Sequence, residues 1–153
     1  MSEVRSVDRL DALPLLDGLT HTQRAAIAGI SKITTYGPGH RLFDENGPAD
    51  RCWVVLSGCV VIDAQVPSRG RVALQSLGPG ELVGWSWFVP PFRWHFGAEV
   101  VSATRAAVID TGQLRALADA DPEFGYRLSQ ILVEALLNRL QATRMRLLEI
   151  EHA

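Results

Sequence analysis

At 153 residues with 47 % hydrophobic content, the chain is long enough for one sizeable core and too short for two ordinary domains. A formal net charge of -2 carries no general attraction to phosphate backbones or anionic membranes, so neither nucleic acid nor a membrane is an expected partner. The opening stretch 1–16 scatters charges and holds no continuous apolar run, which argues against a leader or membrane span and for a cytoplasmic protein.

In chain order, Thr20 with Gln23 three residues on makes a capping-box pattern, and Ala26, Ile27 and Ile30 follow at helical spacing, predicting a helix over 20–30. From 31 to 110 the texture changes to short β-branched or alternating runs broken by Gly, Pro and Asn, as expected of antiparallel strands. Cys52 and Cys59 lie inside two of these runs and read as buried thiols in a reducing compartment. Val60, Ile62, Ala64 and Val66 alternate as one buried strand face, and a turn at Pro67–Gly70 returns the chain into Val72 and Leu74. Leu114 and Leu117 mark a short helix over 111–119.

Asp121 then offers an N-cap, Pro122 suits the first helical position and Glu123 complements the positive helix end, predicting a helix over 122–150. No Gly or Pro interrupts residues 126 to 153. Val133, Leu136, Leu140, Thr143, Leu147 and Ile150 alternate three- and four-residue steps, the spacing of a coiled-coil seam, so a symmetric homodimer is expected. The competing reading is that apolar residues of the first half, with Leu128, Ile131 and Leu132, cover the strands. Arg139, Arg144 and Arg146 read as a solvated flank of this helix.

The run YGPGHRLFDENGPADRCWVVLSGCVVI, with the later Leu77–Gly80 and the long last helix, resembles the cyclic-nucleotide-binding domains, in particular the sensor half of Crp/Fnr-type regulators. The resemblance implies a mainly β fold with α elements: an antiparallel, jelly-roll-like β-roll flanked by short N-terminal helices and a long C-terminal dimerisation helix. It also implies a phosphate-binding cassette in which a Gly–Glu step holds the ribose and an Arg about ten residues on neutralises the cyclic phosphate. Here that stretch reads GELVGWSWFVPPFRWHFGA. Aligning Gly80 with the glycine that opens the cassette puts Gly84 at the Gly of that step and Trp85 where its Glu belongs, with Glu81 able to replace it only by a four-residue shift.

The resemblance thus nominates Gly80, Glu81, Gly84, Trp85 and Ser86 as ligand contacts, with Arg93 as the phosphate contact and Trp94 and His95 beside it. From the last helix it nominates Thr143 and Arg144 as contacts to the base, although Thr143 serves equally to set helix register. An indole cannot accept a hydroxyl hydrogen, so Trp85 weakens the expectation of a cyclic nucleotide such as cAMP. The aromatic cluster has two readings: a remodelled pocket for a planar or anionic effector, or a rigid loop filling the space a ligand would take.

The histidines His21, His40, His95 and His152 are scattered with no carboxylate at ligand spacing, so neither a metal site nor catalysis is expected. The chain ends where a regulator of this type continues into a helix-turn-helix domain. The expectation is therefore a stand-alone sensor that relays an effector to another protein without contacting DNA itself, or else a ligand-independent adaptor.

Overall fold

The computed structural model describes residues 13–152, so the reading of the opening stretch falls, over residues 1–12, outside the described residues. After a short helical turn at Pro14–Leu16 comes α1 (His21–Gly29). The Thr20 hydroxyl accepts from the Gln23 N–H and the Gln23 side chain accepts from the Thr20 N–H, so the capping box forms as predicted.

Eight strands follow: β1 (Ser31–Tyr36), β2 (Arg41–Phe43), β3 (Arg51–Ser57), β4 (Val60–Val66), β5 (Gly70–Leu77), β6 (Leu82–Val83), β7 (Gly97–Val100) and β8 (Thr104–Asp110). They form two four-stranded antiparallel sheets, β1-β8-β3-β6 and β2-β7-β4-β5, the expected β-roll. Because both faces of β3 are covered, Cys52 to Val55 are buried in succession rather than alternately. The Cys52 thiol is enclosed with them, and that burial pushes its pKa up, as expected of an inert core thiol.

The alternation expected along β4 does not run its full length. Val60 and Ile62 point inward, but the register with β5 shifts between Ile62 and Asp63, so the buried face passes to Asp63 while Ala64 and Val66 are only half-buried. Asp63 meets Arg41 in a two-pronged ion pair at 2.5 and 3.1 Å. The Arg41 guanidinium is held protonated more firmly than usual, first by the Asp63 hydrogen bonds and also by Asp44. A side chain at Gly97 would collide with this pair.

Two helices close the chain: α2 (Thr111–Ala120) and α3 (Pro122–His152). The Asp121 carboxylate accepts from the N–H groups of Glu123 and Phe124, supplying the predicted cap. The first turns of α3 pack Phe124, Leu128, Ile131 and Leu132 into the core, so for that part the covering reading holds. Beyond them one stripe of the helix is turned away from the strands: Val133, Leu136, Leu140, Leu147 and Ile150 are 39 to 69 % exposed. Arg146 is exposed, as expected of a solvated flank, while its Nη1 also donates to the Leu74 carbonyl of β5. Among the described residues no helix is long and apolar enough to cross a membrane.

Candidate functional site

The nominated residues divide among three places. Gly84, Trp85, Ser86, Trp94 and His95 gather with Phe43, Ile62 and Phe96 around one cavity inside the roll. Gly80 and Glu81 face a different space, a cleft between the β5–β6 connection and α3. Arg93, Thr143 and Arg144 line neither of these spaces.

The interior cavity is nearly full. The Trp94 indole is buried and stacks on Phe43 with centroids 3.9 Å apart and planes 15° from parallel, with Trp53 at 6.2 Å. Gly84 closes the other side at φ +94°, and a Cβ there would lie 2.7 Å from Trp94 Cη2. What remains is about 30 Å³, about the volume of one water and a tenth of the smallest ordinary ligand pockets. A cyclic nucleotide therefore does not fit the roll interior alongside the residues that occupy it.

The loop that carries the plug is bound along its length to the β2–β3 connection. The Asn46 N–H donates to Trp94 O at 2.8 Å, the Trp94 N–H to Gly47 O at 3.0 Å, and the Ala49 N–H to Phe92 O at 2.8 Å. These bonds turn Arg93 outward, where its Nη1 donates to Asn46 O at 2.7 Å. Arg93, expected as a phosphate contact, is thus exposed and engaged on the surface rather than lining the interior cavity. Trp87, between the nominated residues, belongs to the core and donates through Nε1 to Gly84 O.

Glu81 does not replace the missing carboxylate by a register shift either. It sits in the connection before β6, where Oε2 accepts from the Gly78 N–H at 2.6 Å, and it borders the cleft rather than the interior. On α3, Thr143 donates its hydroxyl to Arg139 O one turn earlier, and Arg144 is exposed.

The residue that sequence reasoning missed is Arg139. Placed above with the solvated flank, it is 8 % exposed and lays its guanidinium over the Trp85 ring, with Cζ 4.2 Å from the centroid. Among the described residues its Nη1 is buried without a hydrogen-bond partner. Burial lowers its pKa from the usual guanidinium value to about 10, against the opposing pull of the Glu81 charge. The signal was periodicity: Leu128, Leu132, Ala135 and Arg139 continue one inward stripe in four- and three-residue steps. Trp85 thus stands between two spaces, lining the interior cavity while Arg139, stacked on it, lines the cleft.

Comparison with known proteins fits this architecture. The model of the cyclic nucleotide-binding domain matches residues 33–121, and the chain belongs to that family. A CRP-like cAMP-activated global transcriptional regulator of Mycobacterium tuberculosis is 28 % identical over 129 residues, covering 82 % of this chain and 56 % of the regulator. The chain thus spans little more than half the length of that relative. The N-terminal domain of a transcriptional regulator from Streptomyces coelicolor superposes with a TM-score of 0.70 at 25 % identity, covering 88 % of this chain and 94 % of that one. A cyclic nucleotide-binding domain from Methylobacillus flagellatus gives a TM-score of 0.82 at 16 % identity, covering 95 % and 84 %, a likeness of fold alone.

Proposed function

We propose that the chain is a non-catalytic effector-sensing module that pairs with a second copy through the outer half of α3 and passes a ligand-dependent shift of that helix to a partner protein. The observation that carries this reading is the Arg139–Trp85 stack, because it couples the element that pairs to the element that in this family frames the ligand. A charge held on an aromatic face with one buried N–H group unmet has two arrangements within reach, with and without an added anion, and a ligand that prefers one of them shifts the helix. The effector this geometry favours is a small anion outside the roll rather than cAMP inside it, since Trp94 fills the interior.

Thermal denaturation with cAMP, cyclic GMP and small organic anions tests the reading, since a ligand at one hundred times its dissociation constant adds about 2.7 kcal/mol to stability. A shift with an anion and none with cyclic nucleotides is expected. A second reading, the ligand-independent adaptor, is favoured by the bonds that fix the Trp94 loop, and stability unchanged by every compound would establish it. For pairing, sedimentation of wild type and Leu140→Asp should give a dimer and a monomer; a monomeric wild type at micromolar concentration, or a dimeric variant, would refute the seam.

A further inference from the structure

We propose that the cleft between the β5–β6 connection and α3 is the binding site for a small anion that also carries hydroxyl groups, a sugar phosphate or a hydroxy acid, with Arg139 as the group that holds its charge. The proposal rests on the sensing reading above and supplies its site and ligand chemistry. The cleft encloses about 310 Å³, at the lower end of the range for small-molecule sites. Its walls join Gly80, Glu81 and Gln75 from the roll to Asn138, Arg139 and Ala142 from α3.

Three features define the ligand. The first is the buried Arg139 Nη1, which lacks an acceptor among the described residues. A buried guanidinium hydrogen without a partner costs free energy, and the natural remedy is an anionic oxygen, which forms a short, charge-assisted bond. The second is the acceptor set at the rim: the carboxylates of Glu81 and Glu134 line the same space and favour a ligand that brings donors, so a bare anion is disfavoured against one with hydroxyls. The third is place: the exposed seam of Val133, Leu136, Leu140, Leu147 and Ile150 contributes no wall to the cleft, so the surface assigned to pairing and the one assigned to the ligand lie on different stripes of α3.

Binding there would act on the Trp85 stack directly, because the cation that an anion draws away is the one resting on the ring. The test is a titration of the full chain with glycerol phosphate, malate, inorganic phosphate and cAMP, followed by the indole N–H resonances, with Trp85 assigned through Trp85→Phe. Glycerol phosphate or malate should move the Trp85 resonance saturably, and the response of one and not the other decides between phosphate ester and carboxylate. Arg139→Gln should weaken binding about tenfold or more, and Arg93→Ala should leave it unchanged. If Arg139→Gln fails to fold, Asn138→Leu, which fills the rim, should give the same loss.

Unchanged Trp85 resonances with all four compounds would overturn the proposal, as would binding indifferent to Arg139→Gln or Asn138→Leu. A saturable cAMP response centred on Trp94 and not on Trp85 would overturn the cleft while leaving the sensing reading intact. A dimer that responds to no compound in denaturation or NMR would remove both.

Discussion

Trp85 separates two spaces of opposite character. On one side the roll interior is closed by stacked aromatic rings to about 30 Å³, with the loop that carries Trp94 bound through its backbone. On the other, roll and helix stand apart around about 310 Å³, and a guanidinium nitrogen is buried without an acceptor. Apolar packing stabilises the folded chain by itself, whereas a buried unpaired donor lowers its stability unless something completes it. The contrast teaches that one fold can close one space with side chains while leaving a buried hydrogen-bond donor unmet beside another.

The contrast can be broken first at the plug. Trp94→Ala should lower unfolding free energy by about 4 kcal/mol, the usual loss for a buried Trp, read by urea denaturation. Added indole should restore part of it, as apolar cavities take up matching rings. A loss under 1 kcal/mol would mean the interior is not held by this ring.

Gly84→Ala attacks the same packing from the facing side. The new methyl would lie 2.7 Å from the indole, on a backbone at φ +94°, where side chains are strained. A loss of about 2 kcal/mol is expected, and an unchanged midpoint would show that Trp94 can retreat.

Arg139→Met sharpens the other side. Exchanging a buried, incompletely paired charge for an apolar chain of similar length should leave stability within about 1 kcal/mol of wild type. A loss of several kcal/mol would show instead that Arg139 is a satisfied structural residue.

A further effect is in pH. Burial holds the Arg139 pKa near 10, below the ordinary guanidinium value. The charged form is therefore disfavoured in the folded state, and the penalty is fully present below pH 10. It is relieved as pH rises from there toward the ordinary guanidinium pKa. Between wild type and Arg139→Met, the stability difference should shift in favour of wild type across that interval; a constant difference would place the guanidinium in water.

How much of this was legible in the sequence depends on distance along the chain. The capping box at Thr20, the cap at Asp121 and the turn-bounded strands are local patterns, and all three form as read. The departure at Trp85 was also visible, because it needed only an alignment of glycines. The aim of Arg93 was not: backbone bonds between its loop and the Asn46–Ala49 turn decide it, and no residue near Arg93 announces them. Asp63 comes inside through a one-residue slip that breaks an alternation otherwise well kept. Arg139 was misplaced because charge on a leucine-rich helix suggests water, although its spacing from Leu132 and Ala135 carried it inward.

The most direct test of the account is calorimetric titration of cAMP into the wild-type chain and into Arg93→Ala. With the interior closed by Trp94 and Arg93 engaged at the surface, neither protein should give a saturable heat. One cAMP bound per chain at micromolar affinity, abolished by Arg93→Ala, would contradict it and return the ligand to the interior of the roll.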